Sequence, residues 1–266
     1  MGLADLGPLQ FSEPLTAASE NECRWYHTFD KPDGSVIRGS WDYRHNVDDY
    51  LGHVDFRGKT VLEIGPASGF LTVAMEQRGA SVVAIDTPAD DVWEYVPRAD
   101  RDTEAWLRMR RERHVQLKRS WWFSQRLFKG SARVSYCGVA GLREVAAQLN
   151  FDICLIGGLL QHVRYPADVL WIASQAATQI IVSERFLPEV EKTGEPLARF
   201  VPSRRNDFVD TWSYLSSAAV SNALDIFGFD RERLGRFKCR QWPKVASAGE
   251  GDPLELDYYS AVFRKR

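Results

Sequence analysis

The stretch Val61-Leu62-Glu63-Ile64-Gly65-Pro66-Ala67-Ser68-Gly69-Phe70 decides how this chain is read. A short apolar run carrying one carboxylate leads into glycines spaced to tighten the backbone, then into an amphipathic segment. That order is strand, turn and helix in a nucleotide-binding unit. The next apolar run, Ser81-Val82-Val83-Ala84-Ile85-Asp86, ends on an acid about 20 residues beyond the first glycine. There a carboxylate can accept hydrogen bonds from both hydroxyls of a ribose.

The glycine spacing chooses between cofactors. A dinucleotide fingerprint G-x-G-x-x-G needs small residues at 65, 67 and 70, but position 70 is Phe70 and the third small residue is Gly69. The result, E-x-G-x-A-x-G, resembles the first motif of class I S-adenosylmethionine (SAM) methyltransferases, [ED]-x-G-x-G-x-G, with Ala67 replacing the middle glycine. The resemblance implies an α/β fold: a Rossmann-like sheet of seven mostly parallel strands with an antiparallel C-terminal strand. It also implies S-adenosyl-L-methionine as cofactor, with S-adenosyl-L-homocysteine (SAH) as product. Glu63, Gly65, Pro66, Ala67, Gly69, Asp86 and Thr87 then become cofactor-binding candidates: Glu63 orders the turn or meets the amino-acid end, and Asp86 takes the ribose. The alternative is a tight turn that binds nothing.

Composition bounds the class. The 266 residues are enough for one large α/β domain with additions, and 44% hydrophobic residues suffice for a full core. A net charge of −2 gives no global drive toward nucleic acid or anionic membrane. Cys23, Cys137, Cys154 and Cys239 are scattered without a C-x-x-C pair, so reduced thiols in a cytoplasmic protein are expected, with neither a metal site nor a disulfide framework. No signal sequence and no apolar run of membrane-spanning length is seen.

Taken in order, the chain reads as an N-terminal cap or lid segment (1–56) and a SAM-binding domain (57–266), with a helical insertion at about 88–130 and a loop insertion at about 185–210. Arg24-Trp25-Tyr26-His27-Thr28-Phe29-Asp30 precedes the turn signal Pro32-Asp33-Gly34 and suggests a hairpin. Gly39-Ser40-Trp41-Asp42-Tyr43-Arg44 and a short helix to about Gly52 follow, with Val47, Tyr50 and Leu51 facing inward. These segments, with E-I-G-P-A-S-G, resemble the methyltransferase-like family that includes the tRNA wobble-uridine carboxymethyltransferase. The resemblance covers residues 24–90 and resumes at Phe151–Pro166 and Thr211–Phe229. It implies that the segment before the first strand folds over the pocket and that Trp41, Arg44, Tyr26 and His27 line it, although these aromatics could equally cover the sheet edge.

Residues 98–129 hold ten Lys or Arg against four acids, a local net charge of +6, interleaved with Trp106, Trp121, Trp122, Phe123 and Phe128. Such interleaving can grip single-stranded nucleic acid. A solvated helix pair over the pocket is preferred, because polynucleotide binding asks for a more continuous basic face. A smaller anionic substrate suits a local patch better.

The third strand, Ala132–Tyr136, is followed by Cys137-Gly138-Val139-Ala140 where many SAM enzymes place an adenine-reading acid. Adenine then falls to backbone groups and a wall of Val139, Ala140 and Leu142. The fourth strand, Phe151–Ile156, runs into Gly157-Gly158-Leu159-Leu160-Gln161-His162, a loop that should face the transferred methyl. This segment resembles the same family's F-D-x-x-x-x-x-x-L-x-H-x-x-x-P, and His162 is the first candidate base, with His27 second; a purely structural histidine is the competing reading. A helix at 167–176 and a fifth strand, Gln179–Glu184, follow. The region Arg185–Asp210 is broken by Pro188, Gly194, Pro196 and Pro202, and offers Arg199, Arg204, Arg205 and Asn206 as substrate-binding candidates. A helix capped near Ser216 and stopped by Gly228 presents Val220, Leu224 and Phe227 on one face. Strands near Gly235–Trp242 and Leu256–Phe263 flank the turn Gly249-Glu250-Gly251-Asp252-Pro253.

The expectation is a SAM-dependent methyltransferase acting on an oxygen or nitrogen of a small polar metabolite, such as a sugar or natural-product intermediate. The alternative is tRNA wobble-uridine modification with SAM or its carboxylated form, for which Arg44 would hold the extra carboxylate. No metal and no membrane partner is required.

Overall fold

The computed structural model describes residues 8–16, 19–88, 94–100, 102–206, 208–242 and 252–266; the expected turn at residues 249–251 lies outside them. In chain order the elements are β1 (Phe29–Asp30), β2 (Val36–Ile37), β3 (Trp41–Asp42), α1 (Val47–Tyr50), β4 (Thr60–Ile64), α2 (Phe70–Gln77) and β5 (Ser81–Ile85). Next come α3 (Thr103–Phe128), β6 (Arg133–Ser135), α4 (Gly138–Val145), β7 (Phe151–Gly157), α5 (Pro166–Ala176) and β8 (Ala177–Arg185). The last are α6 (Pro188–Glu191), β9 (Ala198–Phe200), β10 (Ser213–Leu215), α7 (Ser217–Ile226), β11 (Phe229–Gln241) and β12 (Leu254–Lys265).

Eight strands form one sheet in the order β3-β11-β12-β8-β7-β4-β5-β6. The five from β8 to β6 run parallel, while β12, β11 and β3 are antiparallel to their neighbours. This is the expected Rossmann-like sheet with one added edge strand, β3, supplied by the N-terminal segment.

The parallel strands are apolar because both faces are covered. Leu62, Ile64, Val83, Ile85, Cys154, Ile156, Ile180 and Val182 face one core with residues of α4, α5 and α7. Val61, Val82, Ala84, Ile153, Leu155 and Ile181 face the other, against Tyr50, Leu51, Leu71, Met75 and Trp121. The period-2 alternation thus assigns each residue to a layer.

Three expectations change. The basic insertion contains one continuous helix, α3, of 26 residues rather than a helix pair. Asp102 caps it, accepting from the Ala105 N–H at 3.0 Å. The segment 185–210 is no plain loop: it holds α6 and β9, and β9 pairs antiparallel with β10. Strand β11 begins at Phe229, six residues before the expected start, because Asp230-Arg231-Glu232-Arg233 reads as loop but pairs with β12 through a bulge. Charged residues suit a strand whose outer side is mostly uncovered.

Helix α3 packs against the turn that opens α2. A Cβ built on Gly69 would lie 2.5 Å from Ser124 Oγ and 3.0 Å from Trp121 Cδ1, and Gly69 has φ +87°. Both facts require glycine there. Gly69→Ala should destabilise the fold by about 1–3 kcal/mol, from the combined cost of overpacking and left-handed strain. A chemical-denaturation midpoint equal to wild type would show that α3 yields instead.

Candidate functional site

A cleft of about 350 Å³ opens at the carboxyl ends of the parallel strands. Ile64, Gly65 and Ala67 line it beyond β4, Asp86 and Thr87 beyond β5, Cys137 to Ala140 beyond β6, and Gly157 to Leu159 and His162 beyond β7. Tyr26, His27, Tyr43 and Tyr50 close it from the N-terminal side, and Leu117 from α3. Of the candidates named from sequence, the lining therefore brings together Tyr26, His27, Gly65, Ala67, Asp86, Thr87, Val139, Gly157 and His162.

The turn's geometry follows from its residues. Gly65 has φ +81°, and Ala67 holds φ +50°, a left-handed conformation unusual for a residue with a Cβ. The Pro66 carbonyl accepts from Gly69 N at 2.9 Å, closing the turn. Pro66 and Gly69 thus shape the turn without lining the cleft: Gly69 faces α3.

Glu63 is 2% exposed, and burial pushes its carboxyl up to about 8. Its Oε2 accepts from Thr72 Oγ1 at 2.5 Å, and Thr72 Oγ1 in turn accepts from the Trp121 indole at 3.1 Å. Oε1 is buried without a partner behind the turn. Glu63 is therefore a neutral hydrogen-bonding group beneath the cleft floor.

Asp86 has a partner that sequence reasoning missed. Its Oδ1 accepts from Thr87 N at 2.8 Å, and its Oδ2 faces Lys118 Nζ at 3.3 Å. Lys118 is 1% exposed and also lies 4.1 Å from the centre of the Tyr136 ring. A carboxylate offers about four acceptor positions, so these bonds leave room for ribose hydroxyls. Lys118 reads in sequence as one of many basic residues on an amphipathic helix; only the packing of α3 onto β5 singles it out. Thr87 Oγ1, in the cleft lining, is buried without a partner.

The two histidines part company. His27 N donates to Ser68 Oγ at 2.9 Å, and Ser68 Oγ lies 3.2 Å from His27 Nδ1. Oγ thus bridges the backbone and the ring of His27. Burial lowers the His27 pKa to about 3. A group so weakly basic is a poor base near neutrality, and its contacts with Ser68 join the N-terminal segment to the glycine turn.

His162 sits in a 3-10 turn, Leu160–His162, and its Nδ1 donates to the Asp210 carbonyl. A carbonyl only accepts, so Nδ1 carries the proton and Nε2 is the acceptor nitrogen, the tautomer a base needs. The turn is held by Glu184 at the end of β8, whose Oε1 accepts from Leu159 N and Leu160 N, both at 2.7 Å. Burial pushes the Glu184 carboxyl up to about 8. Glu184 reads in sequence as the polar end of a strand; its role appears only when β7 and β8 are paired.

The remaining candidates lie outside the lining. Trp41 is buried in the aromatic layer behind Tyr26, with ring centres 6.2 Å apart, and is part of β3. Arg44 is committed to Asp42, at 2.6 Å, and to Asp30. Arg199 is exposed on β9 and pairs with Glu189. Arg204 and Arg205 are exposed, and Asn206 Nδ2 donates to the Val201 carbonyl at 2.8 Å, bracing its own turn. Leu142 is wholly buried in the core, so the wall beyond β6 is Gly138, Val139 and Ala140. The 185–210 segment contributes indirectly, through the Asp210 carbonyl on His162, and just beyond it Trp212 N donates to the Gln161 carbonyl at 2.8 Å.

Searches with family models give no match to this chain. EEF1A lysine methyltransferase 3 of Mus musculus is 29% identical over 143 residues, 51% of this chain and 54% of that protein, so the chain matches about half the length of this curated relative. The N-terminal domain of EvdMO1 with SAH bound superposes with a TM-score of 0.57 at 18% identity, over 92% of this chain and 93% of that one. The same domain in the presence of SAH and D-fucose gives 0.55 at 18% identity, again over 92% and 93%. At this identity the likeness is one of fold: the chain has the Rossmann-like architecture of a methyltransferase domain. Among the described residues no helix is long and apolar enough to cross a membrane.

The buried carboxyls give a pH signature. Glu184 ionises near 4.5 when unfolded but holds its proton to about 8 when folded, so its contribution to stability is complete below 4.5 and is lost as pH rises through 8. Glu63 acts in the same window, whereas His27, lowered from 6.5 to about 3, costs stability as pH falls through that range. Glu184→Gln keeps an acceptor for Leu159 and Leu160 but cannot ionise. Its melting temperature should fall less steeply than wild type between pH 6.5 and 8; parallel curves would mean that Glu184 is already charged in the fold.

Proposed function

We propose that the chain transfers a methyl group from S-adenosyl-L-methionine to an oxygen or nitrogen of a small polar metabolite, such as a sugar or natural-product intermediate. The observation that carries this reading is the meeting, at one set of strand ends, of the Gly65–Ala67 turn, the Asp86–Thr87 pair and the loop that presents His162. The residues suit the cofactor. Asp86 offers its carboxylate to the ribose diol, with Lys118 holding it in place, and Val139 and Ala140 supply an apolar wall for adenine. Thr87 Oγ1, in the lining and without a partner, is what a site built around a bound polar group leaves in its absence.

The cofactor supplies a methyl already activated by the sulfonium charge. The protein's task is then to align the acceptor and exclude water. Tyr26, Tyr43 and Tyr50 do the excluding, and we assign residues 1–56 a capping role over the domain that follows. His162 Nε2 takes the proton of a hydroxyl acceptor as attack proceeds, or keeps an amine unprotonated.

The solved domain studied with D-fucose supports a sugar-like acceptor, and the mouse relative, by its name a lysine methyltransferase, supports nitrogen. The tRNA reading has less support. Arg44, the cation expected for a carboxylated sulfonium, is bound to two carboxylates outside the lining. A cytoplasmic location is part of the proposal.

Calorimetric titration with SAH tests the reading at its root, and absence of binding by the wild-type chain would overturn it. Asp86→Ala should weaken SAH binding by about 1–3 kcal/mol, the range for a buried charge-assisted contact. With any acceptor that wild type methylates, detected as SAH by mass spectrometry, His162→Ala should lower turnover by roughly 10²- to 10⁴-fold and leave SAH affinity within about twofold. Equal loss of both would make His162 a structural residue.

A further inference from the structure

Helix α3 carries its chemistry along one face. Leu117 lines the cleft, Lys118 holds Asp86 and Trp121 backs the glycine turn. Toward the N-terminus of the helix the same side continues through Arg113 and Arg110, about 6 and 10 Å along the axis from Leu117 at 1.5 Å per residue.

The N-terminal segment adds a third guanidinium. Arg24 N donates to the Gln116 carbonyl at 3.2 Å, and Ser120 Oγ donates to the Arg24 carbonyl at 2.5 Å, so the Arg24 backbone is fixed against α3. Arg24 is half-buried, and its bond to Gln116 places it within one turn of Arg113 on α3; burial first, then the charges of Arg113 and Arg110, lower its pKa. Arg110 is likewise lowered, by burial and by Arg113, against the pull of Asp210.

Folding has gathered three like charges where a protein optimised for stability alone would separate them. Among the described residues Asp210, 3.6 Å from Arg110, answers one of the three charges. The patch also adjoins the cleft: Tyr26, a lining residue, feels the fields of both Arg110 and Asp210. The backbone carbonyl of the same Asp210 holds His162. Arg110 precedes Lys118, which holds Asp86 where the ribose is assigned, by about 12 Å along the helix axis at 1.5 Å per residue.

We propose that Arg24, Arg110 and Arg113 bind a phosphoryl group, a phosphate or diphosphate, carried by the acceptor. A forked guanidinium matches the tetrahedral oxyanion, and three of them suit a dianion or trianion better than a single carboxylate. The inference rests on the methyl-transfer reading only in assigning the anion to the acceptor; the anion site itself is independent of it. The acceptor class is then a phosphorylated or nucleotide-linked metabolite, with the reactive oxygen or nitrogen reaching His162 while its phosphate lies at the arginines.

The test uses the full chain saturated with SAH. Inorganic pyrophosphate and uridine diphosphate are titrated separately by calorimetry into wild type, Arg113→Gln and Arg24→Gln. Wild type should bind pyrophosphate, and each variant should bind it at least about tenfold more weakly, with SAH affinity unchanged. Tighter binding of uridine diphosphate than pyrophosphate would support a nucleotide carrier; equal binding would support a simple phosphate ester. Absence of pyrophosphate binding by wild type, or equal binding by both variants, would overturn the proposal. Failure to bind SAH, with pyrophosphate binding and its arginine dependence intact, would overturn the methyl-transfer reading and leave the anion site standing. Circular dichroism melts within a few degrees of wild type establish that the variants are folded, and Arg113, which is exposed, is the safer of the two.

Discussion

The close approach of helix α3 to the glycine turn is the constraint on which the rest of the site depends. Gly69 has no side chain, so Ser124 and Trp121 can press against the backbone where β4 passes into α2. That contact fixes the rotation of a 26-residue helix, and everything the helix contributes follows from that rotation. Trp121 reaches Thr72 and through it Glu63, Lys118 reaches Asp86, and Leu117 becomes a wall of the cleft. The insertion is therefore part of the wall of the cleft on the side of Asp86.

Electrostatics divides the cleft in a consistent way. Beneath the floor the ionisable groups are kept neutral by burial: Glu63 and Glu184 hold their protons to about 8, and His27 loses its own by about 3. A neutral carboxyl still accepts hydrogen bonds, which is how Glu184 holds two backbone N–H groups without a buried anion. Ion pairs flank this floor: Lys118 with the lining residue Asp86, and Arg110 with Asp210, whose carbonyl holds His162. The rest of the lining is mostly tyrosine, leucine, valine and glycine, with the acidic residues Glu94 and Asp168 among them.

The parallel half of the sheet was legible because each strand is buried on both faces and reads as an uninterrupted apolar run. The glycine turn and Asp86 were legible because their spacing is local. What failed depended on contacts distant in sequence. Charged residues at 230–233 conceal a strand, since a β-ladder with one open side tolerates them. Arg199, Arg204 and Asn206 look available for a substrate until β9 pairs with β10 and turns them outward or into their own turn. Glu184 and Lys118 carry no local signal at all; each is meaningful only through a partner 25 or 32 residues away. His27 and His162 are indistinguishable as letters; burial against a serine hydroxyl sets one apart from the other, whose Nδ1 meets a backbone carbonyl.

The N-terminal segment shows how the two halves of the cleft are held in register. It is anchored three times: Arg24 on α3, His27 on Ser68 of the glycine turn, and β3 on the far edge of the sheet at β11. Aromatic contacts extend the first anchor, with Trp25 against Phe123 and Phe29 stacked on Phe128. A segment tied to the helix that backs Asp86, to the turn between, and to the opposite edge strand spans the cleft. Its residues Tyr26 and His27 can then close the lining only when all three anchors are in place.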